Sequence, residues 1–144
     1  MLRKALAIRE RVFGPVHPMV ASTLNELGNV AMRQDRPEDA ATYYQRMLDI
    51  CRAVYHGKHY LIGIAESNLG SALLARQQYI RAEPLFRDAI ALYTETQSPG
   101  HLNVGIARIK LGRSLLRQGR FAEAATESLA GYEILSKQMA PGVS

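Results

Sequence analysis

One stretch of this chain, Leu24-Asn25-Glu26-Leu27-Gly28, comes back twice at a constant offset of 42 residues. The step carries Leu27-Gly28 to Leu69-Gly70 and then to Leu111-Gly112. It also joins His17, His59 and His101, and Ala40, Ala82 and Ala124. Conservative columns obey it too: Val20, Ile62, Val104, and Ile50, Leu92, Ile134. A fixed stride of this size is the mark of a stack of like units, each burying its apolar face against its neighbours. That constrains the fold more than any single residue does.

Within each unit the apolar spacing is helical. Residues 2–13 place Ala5, Ile8 and Val12 on one stripe, and Gly14, Pro15 and Pro18 break it. The spacing predicts helices over 18–34, 37–54, 60–76, 79–96, 102–118 and 121–138, with breaks at His56-Gly57-Lys58, Ser98-Pro99-Gly100 and Ala140-Pro141-Gly142. Pro18 suits a first helical turn, where its missing N–H costs little. Asp35 is expected to cap the helix that Pro37 opens, with Glu38 and Asp39 near its positive end. Pro84, in the first turns of its helix, removes one backbone donor. Seven helices with short connections and no strand pattern make an all-α chain. It divides into a half unit (1–16) and three helix pairs (17–58, 59–100 and 101–140), forming a single domain.

Gly28, Gly70 and Gly112 fall inside helices, where each costs about 1 kcal/mol relative to alanine. Three glycines at one phase imply a shared compensation. Close approach of the partner helix supplies it, with Ala40, Ala82 and Ala124 as small residues opposite. Burial of Leu27, Leu69 and Leu111 returns about 1.5–3 kcal/mol each.

These residues together resemble the tetratricopeptide repeat, in the long 42-residue variety of kinesin light chains and many bacterial signalling proteins. The family's Leu-Gly pair and its second-helix alanine match in all three units. Its aromatic four residues later matches as Tyr44 and Phe86 but not Ser128, and its linker stands as Gly14-Pro15-Val16-His17-Pro18. The aromatic before the second helix matches as Tyr79 and Phe121, while Pro37 departs. Ser128 and Gly131 suggest that the third unit packs least well. The resemblance implies a right-handed α-α superhelix of antiparallel helix pairs and a non-enzymatic protein-interaction scaffold. It also implies occurrence as a regulatory tail of larger bacterial proteins, kinases among them.

Stacked repeats present a long concave face. Three columns lie two residues from the core stripe: Asn25, Ser67, Ile109; Asn29, Ser71, Arg113; Arg33, Ala75, Arg117. In the family such positions hold an extended peptide, and asparagine amides bind its backbone. Asn25, Asn29 and Asn68 are the candidates here, since an amide both donates and accepts. Arg33, Arg113 and Arg117 favour an acidic segment or free carboxylate.

Charge agrees with such a partner. The 144 residues carry a net charge of +5, and 18 Lys and Arg stand against 13 Asp and Glu. No dense basic block exists, and the ladder columns hold no stacking aromatics, so an RNA-reading repeat is the weaker alternative. No apolar run reaches the roughly 18 residues of a membrane span. Cys51 is the only cysteine, which excludes an internal disulfide and fits a reducing cytoplasm. It falls near the core stripe, as a small hydrophobe would. His17, His59 and His101 occur once per unit, roughly 8–10 Å or more apart, whereas zinc ligands lie about 2 Å from one point. They read as residues at helix starts, and His56 and His59 as solvated loop residues. No catalytic constellation, metal or cofactor is indicated. Both ends lack a capping helix, so some of Leu2, Leu6 and Phe13 are expected to be exposed and to favour self-association.

Overall fold

In a computed structural model, which describes residues 1–139, the chain runs through α1 (Leu2–Phe13), α2 (Pro18–Arg33), α3 (Pro37–Tyr55), α4 (Tyr60–Ala75), α5 (Tyr79–Thr96), α6 (Leu102–Arg117) and α7 (Phe121–Met139). Each helix packs on its chain neighbours, and α4 also touches α6. The first helices of the pairs, α2, α4 and α6, thus form one layer, and α1, α3, α5 and α7 the other. The result is an all-α superhelix of helix pairs. Ala140-Pro141-Gly142 lies outside the described residues.

The helix starts repeat like the sequence. His17, His59 and His101 are N-caps in extended conformation. Each ring Nδ1 accepts the backbone N–H two residues on, at 3.0 Å from Met19, 3.1 Å from Leu61 and 3.1 Å from Asn103. This satisfies one donor that a helix start otherwise orphans. His59 is more than a solvated loop residue, because its ring stacks on Tyr55 and Tyr60 with centroids 4.0 and 4.8 Å away. Phe13 stacks on His17 in the same way at 4.5 Å.

The turns inside each pair repeat as well. Asp35, Gln77 and Gly119 all take positive φ, at 57°, 62° and 79°. The next residue's N–H then reaches back to the carbonyl of Ala31, Leu73 or Leu115, at 2.8, 2.9 and 3.0 Å. This is the Schellman closure of a helix end. Asp35 therefore ends α2 rather than capping α3, whose N-cap is Arg36 without a side-chain hydrogen bond.

The core is continuous through the stack. Val20, Ile62 and Val104, and Leu27, Leu69 and Leu111, are all buried. The helical glycines face the paired helix as expected, but the group they admit is the aromatic column more than the alanines. A Cβ on Gly28 would overlap the Tyr44 ring, and one on Gly70 would lie 2.8 Å from Phe86 Cε1. At Gly112 it would strike Ser128 Oγ.

Two expectations need correction. The third pair is not loosely packed. Without a ring at Ser128 the helices close further, and a Cβ on Gly131 would lie 2.7 Å from the Gly105 carbonyl oxygen. Ala5, Ile8 and Val12 do not form the inward stripe of α1. Ile8 and Val12 are exposed, while Leu6 packs against the core. The helix is instead fastened by Arg9, whose guanidinium donates to Thr23 Oγ1 at 2.5 Å, and by Glu10, paired with Arg46 at 2.6 Å.

A candidate peptide groove on the inner face

A hollow of about 690 Å³ spans α2, α4 and α6. Met32, Leu74 and Leu116 give it an apolar lining, and Lys110, Arg113 and Arg117 supply cations from successive turns of α6. Burial lowers the Lys110 pKa, and the neighbouring Arg113 charge lowers it further. Among the described residues, none of these three cations pairs with a carboxylate. Several other arginines are paired: Arg46 with Glu10, and Arg87 and Arg120 both with Glu83. Arg108, two residues before Lys110 on α6, faces α7 and holds Glu127 at 2.8 Å. The groove thus gathers three cations that no carboxylate among the described residues offsets. A low-dielectric wall beside such charge focuses attraction for anions.

The asparagines are held in place by their own bonds. Asn68 Nδ2 donates to Asn25 Oδ1 at 2.8 Å, linking α4 to α2. Tyr44 Oη donates to Asn29 Oδ1 at 2.6 Å. Burial raises the Tyr44 pKa to about 12, with Arg33 pulling the other way, so the phenol stays a donor. These bonds use one acceptor lone pair on each of Asn25 and Asn29, and both keep their N–H donors. A fixed amide is the form that can meet a peptide backbone without further ordering cost.

Not every expected residue belongs to this face. Ser67 is 5% exposed and lies against the Tyr93 phenol, so it presents no surface to a ligand. Ile109, in the same column, packs toward Gly131 of α7. One residue later than Ile109, Lys110 lines the hollow. Ser71 lines the hollow but donates its hydroxyl to the Ser67 carbonyl at 3.0 Å. Arg33 is exposed at the end of α2. Arg113 and Arg117 stand where the sequence placed them, while Lys110 and the apolar lining were missed. The recurrence of an apolar residue at Met32, Leu74 and Leu116, one period apart, was the available signal.

No described helix is long and apolar enough to cross a membrane. Among the described residues, no group of three or more His, Cys, Asp or Glu is placed to hold a metal ion.

The family model described as tetratricopeptide repeat matches residues 1–53 and 61–136. Among curated proteins, the human "Tetratricopeptide repeat protein 19, mitochondrial" is 30% identical over 90 residues, covering 62% of this chain and 23% of that protein. Its Rattus norvegicus counterpart is 29% identical over the same length. The chain thus spans about a quarter of the length of these relatives. Among solved structures, BtubC (BKLC) from P. vanneervenii superposes with a TM-score of 0.85 at 18% identity, covering 99% of this chain and 57% of that one. A Podosopora anserina putative kinesin light chain with nearly identical TPR-like repeats gives 0.75 at 19% identity, covering 96% and 66%. With its 42-residue stride, its Leu-Gly pairs and the family model matching most of its length, the chain belongs to the tetratricopeptide repeat family.

Proposed function

We propose that this protein is a scaffold that holds an extended acidic peptide segment of a partner protein along its inner face, in a reducing compartment such as the cytoplasm. Tetratricopeptide repeats are protein-interaction scaffolds, and the groove chemistry supports the finer reading. Its single strongest support is the gathering of three cations, Lys110, Arg113 and Arg117, beside one hollow, with no carboxylate paired to them among the described residues. The lining at Met32, Leu74 and Leu116 would take an apolar side chain between acidic ones. Asn25 and Asn29 would address the peptide backbone, and Arg33 would extend the basic track toward α2.

Fluorescence anisotropy with a labelled acidic decapeptide tests this. Arg113→Glu combined with Arg117→Glu should weaken binding at least tenfold, about 1.4 kcal/mol, with unchanged helix content. Equal affinity in the variant refutes the groove assignment. Tighter capture of single-stranded RNA than of the peptide, falling steeply with salt, refutes the peptide class in favour of the weaker alternative.

One observation favours a second, compatible reading, in which two copies associate end to end. Leu48 and Ile90 are buried under the following helix, while Tyr132 at the same phase is 58% exposed. Leu129 and Phe121 are exposed beside it on α7. Ile8, Val12 and Phe13 form the opposite end, in place of the Leu2 and Leu6 that the sequence suggested. Light scattering should show concentration-dependent dimers that Tyr132→Lys abolishes. A strict monomer at high concentration refutes this reading.

A further inference from the structure

A second hollow, of about 510 Å³, opens between the outer-layer helices α3 and α5, over α4. Glu66 lies in it and is only 2% exposed. One period earlier the same column holds Leu24, fully buried in the core. One period later it holds Arg108, which is paired with Glu127. Glu66 has no such resolution. Its Oε1 is buried and receives no donor, so only a proton shared with the neighbouring Asp88 carboxylate would satisfy it, and that bond is lost when both groups ionise. Its Oε2 lies 3.7 Å from Arg52, an ionic contact too long for a hydrogen bond, and the Arg52 side chain is half exposed. Folded proteins rarely leave a buried polar atom unsatisfied, so this one calls for a ligand or another explanation.

The surroundings narrow the chemistry. The Glu10–Arg46 pair that ties α1 to α3 recurs one period later as Arg52 and Asp88, in reversed order. There the two do not close on each other. Two carboxylates, Glu66 and Asp88, therefore share the hollow with one guanidinium, Arg52, and with the His56 ring. The remaining wall is Ile62, Ala91 and Leu92, which suits a methylene stem. The donor set does not suit a metal ion, because no three ligating groups converge among the described residues.

We propose that this hollow binds an alkylammonium group, with Glu66 Oε1 and the Asp88 carboxylate accepting its N–H donors and Ile62, Ala91 and Leu92 packing its stem. A lysine side chain of a partner protein and a free amine share that chemistry, and the open cleft suits a side chain reaching in from outside. The site is independent of the basic groove on the inner face. It also has a pH signature. Burial foremost, and then the Asp88 charge, raise the Glu66 pKa to about 7 against the pull of Arg52. The groups facing Glu66 are Arg52 and His56 from the end of α3, and Asp88 and Tyr93 from α5. An ammonium binds the ionised carboxylate. Affinity is therefore scaled by the ionised fraction and rises roughly tenfold from pH 6 to pH 8.

The test is an NMR titration of the whole chain, reading the Ile62 and Leu92 methyl resonances. The probes are a blocked Gly-Lys-Gly peptide, the same peptide with norleucine for lysine, and butylamine. Saturable shifts with the lysine peptide, about tenfold tighter at pH 8 than at pH 6 and absent with norleucine, are the expected result. Tighter binding of the peptide than of butylamine identifies a partner's lysine as the source, and equal binding identifies a free amine. Glu66→Gln should abolish the shifts, and Asp88→Asn, at an exposed position, should weaken binding severalfold without changing the circular dichroism. No saturation by either amine at pH 8 overturns the proposal. So does unaltered binding in Asp88→Asn, which decides the matter even if Glu66→Gln does not fold.

Discussion

Replacing Gly70 by alanine sets two effects of opposite sign against each other. Alanine in a helix interior is favoured over glycine by about 1 kcal/mol. The added Cβ would, however, lie 2.8, 2.9 and 3.1 Å from Cε1, Cζ and Cδ1 of Phe86. Phe86 is fully buried, with Ala82 and Ala89 also fully buried on the same helix, so the ring has nowhere to withdraw. Overpacking of this kind costs about 1–3 kcal/mol. Gly70→Ala should therefore destabilise the wild-type protein by up to ~2 kcal/mol. In a Phe86→Leu background the obstructing ring atoms are gone, and the same substitution should stabilise by up to ~1 kcal/mol. The double-mutant cycle then gives a coupling of about 1–3 kcal/mol. Urea unfolding followed by circular dichroism measures it, with constant m-values showing that the compared states are alike. Additivity within about 0.5 kcal/mol, or a stabilising Gly70→Ala in the wild type, refutes the claim that glycine is there to admit the ring.

Other outcomes follow from the same structure. Gln77→Gly should stabilise by roughly 1 kcal/mol, because Gln77 holds a left-handed conformation at φ 62° that glycine adopts without strain; thermal unfolding checks it, and a lowered midpoint contradicts the Schellman assignment. His59→Ala should cost about 0.5–2 kcal/mol as a lost N-cap, and more than His101→Ala, since the Tyr55 and Tyr60 rings stack on His59; chemical denaturation of the two variants compares them. Glu66 holds its proton longer in the folded chain, with its pKa raised from 4.5 to about 7. The unfolded chain therefore loses the proton first, and stability should fall as pH rises from about 4.5 to about 7, by at most ~3 kcal/mol, and then level off. Glu66→Gln should flatten that stretch of the stability–pH curve, and an unchanged slope contradicts the buried-acid account. Cys51 is buried with its thiol pKa raised by that burial, so a thiol reagent should label the native chain far more slowly than the urea-unfolded one.

The stride of 42 made most of the architecture legible before any coordinates. Helix ends fell within a residue or so of the periodic reading, because cap, turn and core columns all repeat together. Where the sequence misled, one residue type served two geometries. Asp35 before Pro37 has the composition of an N-cap, yet the left-handed residue that closes α2 is also often polar and small. On α1 the apolar residues Ile8 and Val12 suggested an inward face, but a helix with a neighbour on one side can leave such residues exposed. The inner face was half legible. Arg113 and Arg117 line the hollow at the spacing read from the sequence, whereas Ser67 and Ile109 turn to the paired helix, because a column two residues off the core still reaches it. Glu66 was legible only as a charged residue interrupting an otherwise buried column. What that interruption does depends on Arg52 and Asp88, which are brought to it by packing and not by sequence proximity.

The most direct test of the account as a whole is amide chemical-shift mapping of the protein with an unlabelled acidic decapeptide. The account predicts perturbations concentrated at Asn25, Asn68, Leu74, Lys110, Arg113 and Arg117, with α3 and α5 outer-face amides unmoved. Perturbations confined to α3, α5 and α7, with those inner-face residues silent, would contradict it.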